Sequence, residues 1–144
     1  MTTPPKGRGT ARTKARKRAL DLLFAGEARG LSPVAMLDEA IAEGEGPTNP
    51  YTAVLVRGVT AEQPRIDEVL SSYSEGWSLE RMPAVDRNVL RIGVWELLYA
   101  ADVPEHVAVS EALALVRDLS TDESPQFVNG VLGAIQRDKA KLTA

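Results

Sequence analysis

Apolar residues recur at helical spacing along most of the 144-residue chain, and prolines and glycines separate the apolar segments. No segment shows the sustained alternation of apolar and polar residues that marks a half-buried strand. The pattern therefore predicts an all-α fold of six or seven helices with short connections, as one bundle or a pair of bundles. We expect helices near residues 10–29, 32–42, 50–63, 66–73, 83–101, 104–119 and 124–139, and a helical turn at 78–82.

Prolines and glycines also set the expected boundaries. Ser32-Pro33 supplies an N-cap and a first-turn residue for the second helix. Pro64 should kink or break the third helix. Residues 1–9 contain two prolines and two glycines among polar residues, so we predict a disordered tail ahead of a single domain at 10–144.

The segment 83–101 is apolar around most of its circumference. A helix of this kind is usually buried on several sides, so we predict that it is the central helix. We expect Trp95 and Tyr99, which lie away from its main stripe, to pack in the core or between helices. The main stripe consists of Leu90, Val94, Leu97 and Ala101.

Charge is distributed unevenly along the chain. Residues 1–18 hold seven of the 17 basic side chains and no acidic one, which leaves ten basic against 20 acidic side chains in the remainder. The body should repel polyanions while its N-terminal end attracts them, which is typical of a nucleic-acid-binding arm. A solubilising tail is an equally open interpretation of charge alone.

The residues of common catalytic and metal sites are scarce. There is no cysteine and one histidine, His106, which we place on the surface in the first turn of a helix that follows Pro104. Neither a dinucleotide loop nor a Gly-Lys-Ser/Thr phosphate loop occurs. We therefore predict a non-enzymatic protein with no catalytic residues, metal or cofactor. No apolar segment is long enough to span a bilayer, so we expect no membrane contact and a cytoplasmic location.

The first helix combines cationic and apolar positions on one stripe, because Arg12, Arg16, Ala19 and Leu23 share a line along it. Two arginines buried without a partner would be costly, so we expect the first two turns to project beyond the packed body. Their exposed cations would then bind phosphates and release counterions.

Two phenylalanines lie slightly off the apolar stripes of their helices. Phe24 on the first helix and Phe127 on the last could be half-exposed and stack on unpaired bases, or could simply widen a core face. Both interpretations stay open. Gly130 lies within the last helix, where we expect it to permit a close approach between helices.

Several stretches resemble signature segments of the NusB family. Asp86–Leu98 resembles its central helix, Asp102–Ala112 the following segment and Phe127–Leu132 the last helix. Arg12–Glu27 is similar to the family's basic first helix in position and spacing. The resemblance covers about residues 10–138, and these motifs in this order are fairly specific.

The resemblance implies a NusB-like fold of two three-helix bundles, with a boundary near residues 74–84, and a role in transcription antitermination. Family members bind the single-stranded boxA element of ribosomal RNA leader transcripts as a heterodimer with ribosomal protein NusE, in the context of the transcription elongation complex. Some form homodimers that cover part of the RNA surface, and the sequence leaves a possible homodimer open.

The resemblance also implies roles for individual residues, by position. The implied RNA-binding residues are Arg12, Lys14, Arg16, Lys17, Glu123, Gln126 and Phe127. The positions implied at or near the NusE interface are Phe24, Glu80 and Asp86.

The chain departs from the family pattern at several of these places. Phe24 stands where a tyrosine is common, which removes a hydroxyl that could bond to a partner. His106 replaces a frequent lysine and Ser110 a frequent asparagine. Pro125-Gln126 replaces a more basic pattern, which implies weaker RNA contact there.

Two other functions remain alternatives. A protein-binding helical adaptor without RNA specificity would make the basic segment incidental. An accessory domain of an RNA cytosine methyltransferase would need a Rossmann-like catalytic domain with a cofactor loop and a nucleophilic cysteine, and the 144 residues contain neither.

Overall fold

The computed structural model describes the backbone of residues 4–144 and the side chains from residue 11 onward. Throughout this described part the regular structure is helical, as the sequence predicted, and no strand is present. None of the described helices is both long and apolar enough to cross a membrane. The helices are α1 (Pro4–Arg29), α2 (Pro33–Ala42), α3 (Pro50–Tyr73), α4 (Ala84–Tyr99), α5 (Glu105–Leu119), α6 (Ser124–Arg137) and α7 (Lys139–Leu142), with a 3-10 turn at Leu79–Arg81.

The boundary between α1 and α2 follows the expected local signals. Gly30 ends α1 with a φ of 67°, a left-handed conformation that costs glycine little. Ser32 then caps α2, because its hydroxyl oxygen accepts a hydrogen bond from the backbone N–H of Ala35 at 3.1 Å. Pro33 occupies the first turn, where its missing N–H costs no hydrogen bond.

Two helices differ from the expected ones. The first helix begins at Pro4 rather than near residue 10, since proline is well tolerated in a first turn; residues 1–3 of the predicted tail lie outside the described residues. The third helix is not broken at Pro64 but continues to Tyr73. Pro64 is exposed, and the buried Val59 and Ile66 on either side of it hold the helix despite the lost backbone bond.

The chain divides into two compact units, Met1–Ala61 and Glu62–Ala144. The division falls inside α3, ahead of the boundary near residues 74–84 that we predicted. The reason is that each part of α3 contributes to a different core: Leu55 and Val59 are buried in the first unit, Val69 and Leu70 in the second. The connection after α3 belongs to the second unit.

Helix α4 is the central helix of the second unit, as predicted. It contacts α5, α6 and α7 and buries residues on all sides, from Asp86 to Leu97. Arg91 binds both carboxylate oxygens of Asp67 on α3, at 2.8 and 3.0 Å. This two-point contact orients the second part of α3 on α4. Trp95 is half-buried, whereas Tyr99 is 39% exposed and so lies outside the core.

Two glycines on packed helices have different surroundings. A Cβ atom at Gly93 of α4 would lie 2.8 Å from Cδ1 of Leu132, a fully buried residue of α6. Gly93 therefore permits the close approach of α4 and α6. A Cβ atom at Gly130 would meet no atom within 4 Å among the described residues. Our prediction of a close approach between helices at Gly130 is therefore wrong.

These surroundings predict opposite effects of alanine on stability. Gly93→Ala should lower the free energy of unfolding by about 1–2 kcal/mol, because overpacking against Leu132 outweighs the gain in helix propensity. Gly130→Ala, its matched control, should raise the free energy of unfolding by about 0.5–1 kcal/mol. Urea denaturation of the two variants measures both changes. A Gly93→Ala variant as stable as the parent protein would contradict the close contact.

Candidate nucleic-acid interface

The predicted basic stripe of α1 is partly packed. Arg16 is 3% exposed, and its guanidinium carbon lies 5.6 Å from the ring centroid of Tyr51, at the start of α3. The guanidinium carbon of Arg12 lies 3.9 Å from the same centroid. Our expectation that the first two turns project beyond the body is therefore wrong for this face. A guanidinium over an aromatic ring keeps a favourable electrostatic contact, and its aliphatic stem packs on apolar surface, which offsets part of the cost of burying it.

The other cations of α1 differ in whether they form an ion pair with a described side chain. Lys17 forms an ion pair with Asp21, one helical turn on, at 3.0 Å. Lys14 is exposed, and neither it nor the half-buried Arg18 is paired with a described side chain. Of the four predicted basic RNA-binding residues, Lys14 is thus the most open to a polyanion.

Tyr51 and Arg18 are two residues of this region that the sequence did not lead us to assign to the site. Tyr51 is buried beneath the two arginines. Its position directly after Asn49-Pro50 marks it as an early residue of α3, but nothing in the sequence connects it to α1. Arg18 lies four residues after Lys14, and this helical spacing could have placed the two on one face.

The start of α6 holds the other predicted RNA-binding residues. Glu123 precedes the first turn and is exposed, as is Gln126. Phe127 is half-buried, and its ring meets that of Trp77 edge to face, with centroids 4.9 Å apart. Both interpretations of Phe127 therefore hold in part, because its ring packs on Trp77 and keeps some exposed surface.

Asp86 differs from the other positions implied at the NusE interface. Phe24 is 40% exposed, and Glu80 on the 3-10 turn is exposed. Asp86 is fully buried, and its carboxylate accepts hydrogen bonds from the hydroxyls of Ser120 and Ser124. Asp86 therefore offers no exposed surface to a partner, and the expectation that it lies at or near the NusE interface stays a prediction.

The Asp86 carboxylate instead organises the start of α6. The hydroxyl of Ser124, the first residue of α6, lies 2.8 Å from Asp86 and 2.8 Å from the hydroxyl of Thr121. These bonds hold the segment 120–124 on α4. Glu123 lies within this anchored segment, and Gln126 and Phe127 follow it along α6. Asp86 therefore positions all three without being exposed itself.

His106 lies exposed in the first turn of α5, as predicted. Its neighbour Glu105 joins two other helices of the second unit, because its carboxylate binds Lys139 at 3.0 Å and Gln136 at 3.3 Å. The hydrogen bond from Lys139 and, to a smaller extent, the one from Gln136 lower the pKa of Glu105 below its usual value. Within the described residues, no group of three or more histidine, cysteine or acidic side chains could hold a metal ion.

The helical architecture and the basic first helix define a class of proteins with solved members. T. maritima NusB superposes with a TM-score of 0.80 at 33% identity, over 97% of this chain and 95% of that one. A crystal structure of antitermination factors NusB and NusE in complex with dsRNA superposes with a TM-score of 0.76 at 28% identity, over 88% of this chain and 96% of that one.

The chain belongs to the NusB family, whose model matches residues 13–137. A relative from Nocardioides sp., the transcription antitermination protein NusB, is 75% identical over 92% of this chain and 98% of its own length. The protein of the same name from Kineococcus radiotolerans is 58% identical over 93% of this chain and 98% of its own. The family is one of transcription antitermination factors and is non-enzymatic.

The anchoring role of Asp86 predicts a loss of stability on truncation. Asp86→Ala should lower the free energy of unfolding by about 1–3 kcal/mol, because the buried Ser124 hydroxyl loses its charged acceptor. Asp86→Asn keeps one acceptor oxygen and should lose less. The exposed Glu80→Ala control should change stability by less than about 0.5 kcal/mol. Thermal or urea unfolding measures all three, and equal effects at positions 80 and 86 would argue against the buried network.

Proposed function

We propose that this chain is a transcription antitermination factor that binds boxA-type single-stranded RNA of ribosomal RNA leader transcripts jointly with ribosomal protein NusE. Support comes from membership of the NusB family and from the similar NusB that was solved with NusE and dsRNA. The observation that carries the proposal is the cationic face of α1, where Lys14 is exposed one turn from Arg18 in a chain that is otherwise acidic.

In the first unit, the RNA contact is proposed for α1. Lys14 offers an open ammonium group to a phosphate, and Arg12 lies over Tyr51 at the surface with a half-buried side chain. Arg16 is too buried to reach far into solvent, so its contribution is to the electrostatic potential and to the packing of Tyr51. Lys17 must give up its ion pair with Asp21 before it can bind a phosphate of the RNA.

In the second unit, the start of α6 is proposed to contact RNA. The exposed amide of Gln126 can donate to and accept from a base edge, and the open part of the Phe127 ring can stack on an unpaired base. Trp77 holds that ring in one orientation, which reduces the entropy lost on stacking. Glu123 carries a negative charge and so adds base-edge selectivity rather than phosphate affinity.

The partner contact is proposed at Phe24 and Glu80, both of which are accessible. Phe24 offers an aromatic anchor of the kind that dominates protein interfaces. The elongation complex is the proposed site of action, since antitermination acts on a transcript during its synthesis. We therefore also propose a cytoplasmic location.

Joint binding predicts that RNA and NusE strengthen each other's binding. The dissociation constant for boxA RNA should fall by a factor of about 5 to 150 when NusE is saturating, and that for NusE should fall by the same factor when RNA is saturating. Fluorescence anisotropy and calorimetry measure the two factors, with a scrambled RNA of equal length as control.

The same titration separates the adaptor alternative from the proposal. A protein-binding adaptor would bind NusE with no change in its affinity for RNA. Equal affinities for boxA and scrambled RNA at moderate salt, with and without NusE, would contradict the proposed function.

The partner contact predicts that Phe24→Ala weakens NusE binding about tenfold or more, because an exposed aromatic anchor is lost. Val54→Ala removes a similarly exposed apolar side chain elsewhere in the first unit and should leave the NusE affinity unchanged. Calorimetric titration of NusE into both variants gives the two constants. If both variants bind NusE as the parent protein does, Phe24 is not at the interface.

A further inference from the structure

A cleft of about 540 Å³ opens in the first unit between α1 and the loop that leads into α3. Lys14 and Arg18 of α1 line one side, and the loop residues 46–49 line the other. None of the described residues that line this cleft is acidic. This cleft is separate from the face of α1 on which Arg12 lies over Tyr51.

The floor of the cleft is held by hydrogen bonds between α1 and the start of α3. The Asn49 side-chain amide donates to the carbonyl of Ala11 at 3.2 Å, and its oxygen accepts from the N–H of Tyr51 at 2.9 Å. The Thr52 hydroxyl donates to the carbonyl of Ala15 at 3.0 Å. Because these polar groups already form hydrogen bonds within the protein, they fix the shape of the cleft. Other residues must therefore bind a ligand there.

The loop wall has a shape that depends on glycine. A Cβ atom at Gly46 would lie 2.7 Å from Cγ1 of Ile41, so only glycine lets the loop pass this close to α2. Thr48 follows on this wall and is exposed. Its hydroxyl can donate a hydrogen bond to a ligand in the cleft.

The charges that line the cleft favour an anionic ligand. Lys14 and Arg18 stand one helical turn apart, so their like charges repel each other. Neither is paired with a described acidic side chain, whereas Lys17 on the same helix is paired with Asp21. An anion that sits between the two cations removes the repulsion and gains two charge-assisted hydrogen bonds.

We infer that this cleft binds a phosphodiester group of the RNA backbone between the Lys14 ammonium and the Arg18 guanidinium, with Thr48 as a further donor. The inference rests on the proposed function and deepens it, since it assigns Arg18 and Thr48 to RNA binding. A contact to phosphate carries no base preference, so the cleft contributes affinity and register rather than specificity. Its volume has room for a sugar–phosphate unit.

The first test compares two arginines on α1 by the salt dependence of RNA binding. Arg18→Ala should weaken boxA and scrambled RNA by the same factor, about three- to tenfold, and should reduce the slope of log K against log salt by about 0.7. Arg29→Ala removes the same charge from an exposed position of α1 outside the cleft and should leave the slope unchanged. Circular dichroism checks that both variants are folded.

A second pair of variants leaves α1 intact. Thr48→Glu adds a carboxylate on the loop wall and should weaken both RNAs at least as much as Arg18→Ala, because it repels the phosphate. Ser71→Glu adds the same charge at an exposed position of α3 outside the cleft and should have little effect. Arg18→Lys keeps the charge and should retain most of the slope.

The outcomes separate this inference from the proposed function. If the parent protein binds boxA RNA with NusE but Arg18→Ala and Thr48→Glu bind as it does, the cleft assignment fails and the function stands. If the parent protein does not bind RNA, both fail. Backbone amide chemical shifts of Gly46, Thr48 and Asn49 that respond to inorganic phosphate but not to RNA would make the cleft a small-anion site. A loss of NusE affinity without a loss of RNA affinity would make it a protein contact. Either result overturns the inference.

Discussion

Helix α1 must bury an apolar face and carry a dense row of cations within the same few turns, and the stacking of two arginines on Tyr51 reconciles these demands. Arg12 and Arg16 share one aromatic ring, and this contact offsets part of the cost of burying the Arg16 side chain almost fully. Because these two residues turn toward Tyr51, Lys14 and Arg18 are left on a different face of the helix. The packing of the first unit thus decides which cations remain available to a polyanion.

In the second unit, a buried carboxylate orients the residues that face solvent. Helix α4 buries Asp86 at its start, where the charge also suits the positive end of the helix dipole. The two serine hydroxyls that bind it come from the segment before α6 and from its first residue. The exposed Gln126 and the half-buried Phe127, which follow in the first turn of α6, are thereby held in position. In both units a buried polar contact orients residues that face solvent.

Local features of this fold could be predicted from the sequence, and long-range ones could not. Gly30, Ser32 and Pro33 act on their own neighbours, so the end of α1 and the start of α2 were predictable. The burial of Arg16 depends on Tyr51, which lies far along the chain, and no periodicity connects them. The same holds for Gly93, whose role depends on Leu132, and for Asp86, whose partners are Ser120 and Ser124. The family resemblance placed Asp86 near an interface, but a position alone does not distinguish a contact from a support.

Asn49 uses both ends of its side-chain amide, one to start α3 and the other to tether α1. Conversion of this amide to a carboxylate by spontaneous deamidation would remove the tether and add an anion beside Lys14. That reaction proceeds through attack by the backbone nitrogen of the next residue, and here the next residue is Pro50, which has no N–H to lose. The proline that opens α3 therefore also protects this asparagine from chemical ageing.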